Sequence, residues 1–129
     1  MPPAAQKSNK TLYERLGGYD TIAAIVDDFL DRMRADPLFA RFGGGRSLDS
    51  IRRSRQLIVD QLCALSGGPC IYTGRDMKTS HAGLGITTGE WEASLRHTAA
   101  ALDRFMVPAK EKAEFIVLFE RYRDEIVEA

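Results

Sequence analysis

The sequence predicts an all-α fold, on three observations. Apolar residues recur at three- and four-residue spacing in four long stretches. No stretch alternates apolar and polar residues as a half-buried strand would. Glycine and proline clusters fall between the stretches. Residues 1–10 mix prolines, small and polar residues without an apolar period and read as a flexible leader, so the folded unit is expected over residues 11–129. After Gly17-Gly18, the residues Ile22, Ile25, Val26, Phe29, Leu30 and Met33 form one helical stripe. Asp36-Pro37 ends that helix, because proline disfavours helical geometry in the residue before it, yet fits the first turn of a short new helix carrying Leu38, Phe39 and Phe42. Gly43-Gly44-Gly45 reads as a flexible corner.

Ser47 is a natural cap for the next helix, whose inward stripe runs Ile51, Ser54, Ile58, Leu62 and Leu65, with Gln61 beside it. Gly67-Gly68-Pro69 stops it sharply. The segment CIYTGRDMKTSHAGLGI, residues 70–86, is mostly irregular, with a short helical stretch expected from Arg75 to Ala82. Thr87 or Thr88 caps a long helix bearing Trp91, Leu95, Thr98, Leu102 and Phe105, which Val107-Pro108 ends. A final helix turns Phe115, Leu118, Phe119, Tyr122 and Ile126 inward.

A chain of 129 residues fits one domain and buries about two thirds of the surface its unfolded form exposes. Its 18 basic and 18 acidic residues cancel, which leaves no strong field to hold nucleic acid or an anionic membrane. No apolar run approaches the roughly 20 residues of a membrane span, and the start lacks the apolar stretch of a secretory signal. A cytoplasmic protein is the expectation. Cys63 and Cys70 are too few for a disulfide framework and are expected to stay reduced.

A plain bundle would use short connections, so the long loop needs a reason. It carries His81, followed by Ala82-Gly83, which lets the chain turn away and leaves the imidazole clear. One ring nitrogen can bind a metal while the other donates to a nearby carbonyl such as that of Met77, one turn earlier. The ordinary alternative is a capping or solvent-facing histidine. Cys63, Cys70, His81 and His97 lack the paired spacings of a zinc site, and His97, within its helix near the polar flank, reads as an ordinary surface or boundary histidine. Ser54 has no nucleophile elbow around it, and the glycine clusters lack the lysine and hydroxyl pattern of a phosphate loop.

Four segments give the chain a recognisable character: YERLGGYDTI near the start, DPLFARF after the long helix, GGPCIYTGRDMKTSHAGLGIT through the loop, and the Val-Pro between the last two helices. With these, residues 11–127 resemble the truncated globins of the first group. That resemblance implies a two-over-two helical sandwich around haem b. It places the iron's protein ligand on His81 and a phenylalanine against the haem face on Phe42. It further implies a pocket of Phe29 and Leu30, Ser54 and Ile58, Met77 and Ile86, Trp91, and Phe115 and Phe119, with Tyr72, Arg75 and Lys78 as the nearest partners for the propionates.

The chain departs from this family where a distal tyrosine is common, since Leu30 stands there. Leucine offers no hydrogen bond to a polar ligand, and Ser54 or Gln61 is the substitute available. The expected function is binding of oxygen, nitric oxide or carbon monoxide at a five-coordinate ferrous iron, in a monomer or weak homodimer. Two further readings stay open: a nitric oxide dioxygenase or peroxidase, served by a reductase or by peroxide, and a cofactor-free helical interaction module.

Overall fold

The computed structural model describes residues 10–43 and 46–129, so the expected leader lies outside the described residues up to residue 9, as do Gly44 and Gly45 of the corner. The regular elements among the described residues are all helical: α1 (Leu12–Leu16), α2 (Tyr19–Ala35), a 3₁₀ helix (Pro37–Phe42), α3 (Leu48–Leu65), α4 (Met77–His81), α5 (Thr88–Arg104), α6 (Ala109–Glu120) and α7 (Arg123–Ile126).

The termini of these helices follow from local chemistry. Thr11 and Glu14 close a capping box on α1, each accepting the other's backbone amide, at 3.1 and 3.2 Å. Gly18 begins α2 without a side-chain cap, and the Tyr13 hydroxyl fills that role by accepting the Tyr19 amide at 3.1 Å. Asp36 is extended, as the following proline requires, and its carboxylate caps the 3₁₀ helix through the Leu38 amide at 3.0 Å. Ser47 caps α3, and Thr87, rather than Thr88, caps α5 in a box with Glu90.

Helix α2 is the centre of the fold, packing on α3 and on α5, while α6 packs on α5 and on α1. The core joins Ile22, Ile25 and Val26 of α2 to Val59 and Leu62 of α3, Ala101 and Leu102 of α5, and Phe115 and Leu118 of α6. The predicted stripes of α2, α5 and α6 supply their buried faces, whereas on α3 the buried residues are Val59, Leu62 and Cys63, of which the predicted stripe held only Leu62. The stripes fail at their ends: Phe105 is exposed, because α5 stops at Arg104 and Phe105 is its cap, and the last helix breaks after Glu120 into the separate turn of α7.

A side-chain link that the apolar pattern does not encode ties α2 to α5. Asp28 is buried on α2 and accepts from Arg32 at 2.6 Å and from Arg104 of α5 at 2.7 Å. Burial alone would raise its carboxyl, but the hydrogen bonds from Arg32 and Arg104 outweigh it and hold the group below its ordinary value. A carboxyl lowered by folding stabilises the fold above its unfolded value of 3.8, and that contribution is lost as pH falls through the folded value. Asp28→Asn is therefore expected to cost about 1 to 3 kcal/mol at pH 7. The deficit should shrink in strong acid, which urea titrations of both proteins at the two pH values would check.

The cysteines correct the expectation of free thiols: Cys63 and Cys70 form a disulfide, with Cα atoms 5.7 Å apart. A single bridge needs only a turn, and Gly67-Gly68-Pro69 folds the chain back so that Cys63 and Cys70 meet. Gly67 has φ of +97°, and a side chain at Gly68 would run into the Tyr13 ring and the Cys63 sulfur. Closing so short a ring is expected to contribute about 2 to 3 kcal/mol, so denaturation with and without a reductant should differ by that amount, and Cys70→Ala should show no difference.

Candidate haem site

The short helix α4 is built to present its last residue. His81 is half-buried, and both hydrogen bonds to its ring among the described residues are made at Nδ1, to the Met77 carbonyl and the Ser80 hydroxyl, each at 2.9 Å. The carbonyl can only accept, so it fixes the proton on Nδ1 and leaves the lone pair on Nε2. This is the tautomer a metal needs, with the backbone contact that orients a ligating imidazole. Beyond it, Ala82 is extended and Gly83 and Gly85 have φ of +81° and +64°, so the chain turns away from the ring as the sequence suggested.

The other predicted apolar residues fall into four groups. Phe29, Phe115 and Phe119 form an aromatic cluster with centroids 6.1 Å and 5.6 Å apart. With Ile25, Val26, Leu62 and Thr98 they line a wholly apolar crevice. Leu30 and Ile58 pack at the edge of the same core. Trp91 is buried, and Met77 and Ile86 are half-buried near the histidine in sequence. Phe42 ends the 3₁₀ helix, half-buried, with the Arg41 guanidinium 4.0 Å above its ring.

The polar candidates are placed differently from one another. Ser54 is half-buried, and its hydroxyl accepts from Arg46 at 2.5 Å, while Arg46 also reaches Ser50. Gln61 is half-buried one turn beyond Ile58. Tyr72 donates its hydroxyl proton to the Arg75 carbonyl at 2.5 Å, and burial, followed by the nearby Asp76, pushes that hydroxyl above its ordinary range. Arg75 and Lys78 are exposed and form no ion pair among the described residues, so they are the freer partners for a carboxylate. His97 lies in the middle of α5, half-buried, and bonds Asp36 at 2.8 Å, holding the cap of the 3₁₀ helix. No side-chain cluster able to hold a bare metal ion occurs among the described residues.

Sequence reasoning missed Arg41, Arg46 and Glu90. Glu90 is buried and accepts two hydrogen bonds from Arg41, at 2.8 and 3.1 Å, which hold its carboxyl below the ordinary range. Nothing in the spacing of residues 41 and 90 signals that pair.

An imidazole whose Nε2 has no hydrogen-bond partner among the described residues, on a helical fold with an apolar and aromatic core, suits a porphyrin iron, which can take histidine as its protein ligand and needs its ring faces kept dry. Fold and site together define a haem protein of the globin class. The comparisons agree. Residues 11–128 match the family model for bacterial-like globins. A group 1 truncated haemoglobin from Mycolicibacterium paratuberculosis is 31% identical over 82% of this chain and 76% of its own. One from Nostoc commune is 32% identical over 73% and 89%. The crystal structure of the Fe(III) truncated haemoglobin from Tetrahymena pyriformis superposes with a TM-score of 0.84 at 27% identity, covering 93% of this chain and all of that one. The chain belongs to the bacterial-like globin family, among the group 1 truncated haemoglobins, with the two-over-two fold and haem b as its cofactor.

Proposed function

We propose that this globin holds haem b through His81 Nε2 and reversibly binds a diatomic gas on the opposite face. The observation that carries the reading is the ring itself: Nδ1 is committed to the Met77 carbonyl, so Nε2 is the nitrogen left for iron. The haem would supply the iron for gas binding, and the chain's residues set how it is held. Phe42 would pack its face, Phe29, Phe115, Phe119 and Trp91 would exclude water, and Arg75 and Lys78 would pair with the propionates.

The far side would be lined by Leu30 and Ile58, with Ser54 engaged by Arg46. Oxygen needs a polar donor more than carbon monoxide or nitric oxide does, so this lining favours rapid oxygen release. His97 is occupied with Asp36, which supports a five-coordinate iron without a protein ligand on the gas side. The dioxygenase and peroxidase readings rank behind, because both ask for a stronger distal donor, and the dioxygenase also needs a reductase.

No helix among the described residues is long and apolar enough to cross a membrane. We place the protein in the cytoplasm as a monomer or weak homodimer. Optical spectra of the ferric, ferrous and carbonmonoxy forms test cofactor and coordination together. Stopped-flow oxygen dissociation tests the lining, and a very slow rate would overturn it.

A further inference from the structure

We propose that Glu128 and Arg41 are positioning residues for His81, acting as a two-sided clasp on the loop that links the histidine to α5. From one side, a single Glu128 carboxylate takes both glycine amides: Oε2 accepts from Gly83 at 3.1 Å and Oε1 from Gly85 at 2.8 Å. From the other, Arg41 donates Nη1 to the Leu84 carbonyl at 2.8 Å and Nη2 to the Gly85 carbonyl at 3.2 Å. Arg41 is itself held by buried Glu90, at 2.8 and 3.1 Å, and lies over Phe42.

The backbone completes the grip. Glu128 and Ala129 both donate to the Ile86 carbonyl, at 2.9 and 3.2 Å, and Thr88 donates to the Ala129 carbonyl at 3.1 Å. Just upstream, α4 rests on α7, which leads into the same tail. Between His81 and Gly83 there is one residue, so a displacement of the clasped glycine passes to the histidine with little slack. Positive φ at Gly83 and Gly85 lets neighbouring amides face a common carboxylate, a concavity that suits an anion.

The consequence is a connector ordered before haem arrives. Glycine-rich chain loses more freedom on folding than other sequence, so an unclasped loop would have to be ordered when the histidine meets iron, weakening haem retention. Glu128 anchors the loop to the tail, and Arg41 anchors it to the segment bearing Phe42. The two proposed haem contacts, the histidine and the phenylalanine, are thereby held in one network.

This inference rests on His81 as the ligand, and its test separates the two. In the haem-free protein, amide exchange at Gly83 and Gly85 is expected to quicken by about tenfold in Glu128→Ala, with Glu128→Gln, which keeps one acceptor oxygen, in between. In the haem-loaded ferrous protein, the iron–histidine stretching band is expected to shift or broaden and haem transfer to an acceptor apoprotein to quicken. Arg41→Ala should act on the same two readouts, whereas Arg34→Ala, which removes only an exposed ion pair with Asp31, should leave both unchanged. Unaltered glycine exchange would overturn the clasp. Faster exchange with an unmoved band and unmoved haem transfer would overturn the positioning role. If the parent protein shows no iron–histidine band, the ligand assignment fails and the positioning role with it, while the exchange measurement still reports the clasp.

Discussion

His81→Gly is expected to abolish the iron–histidine band and to release most of the haem during purification, and added imidazole is expected to restore a bound, spectrally similar iron. The replacement removes the ring but leaves the Met77 carbonyl and the glycine turn beyond it in place, so a free imidazole finds the vacated space with its hydrogen-bond acceptor still present. The measurement is the optical and Raman spectrum of the variant with and without imidazole. A spectrum identical to the parent's without imidazole would remove His81 from the iron.

Leu30→Tyr is expected to slow oxygen dissociation by about one to two orders of magnitude, because a hydroxyl donor in a dry pocket contributes roughly 1 to 3 kcal/mol to a polarised ligand. Carbon monoxide, less dependent on a donor, should respond far less, so the ratio of the two effects is the diagnostic. Leu30 packs at the edge of the core beside Phe29, and a tyrosine there projects its hydroxyl beyond the leucine's reach. Stopped-flow measurements on the parent and the variant with both gases would show it. Equal slowing of both gases would indicate blocked access instead.

Much of this protein is legible in its sequence for a simple reason: helical periodicity is a property of neighbours along the chain. Ile22, Ile25, Val26, Leu62, Leu102 and Phe115 are buried because their spacing puts them on the inner faces of amphipathic helices. Thr11, Asp36, Ser47 and Thr87 cap because each precedes a helix whose free amides lie within reach. The Met77–His81 contact is of the same kind, one helical turn apart, and was therefore readable in the sequence.

Other features depended on contacts that reach beyond one helical turn or across a turn of the chain. That Cys63 meets Cys70 required the turn at Gly67-Gly68 to take a left-handed form against Tyr13, and counting cysteines gave the opposite expectation. Arg46 also reaches Ser54, so that hydroxyl, offered by the sequence as a free donor, is already engaged.

What the sequence by itself determined about this globin is its helices, their caps, their apolar faces and the histidine at the end of a short turn, all set by interactions within a few residues. Only the tertiary structure decided that Asp28 joins α2 to α5, that Arg41 pairs with Glu90, and that Glu128 grips the amides of Gly83 and Gly85. Hydrogen bonds between charged groups far apart in the chain leave no periodic trace, because any exposed arginine or glutamate has the same local signature until folding selects its partner.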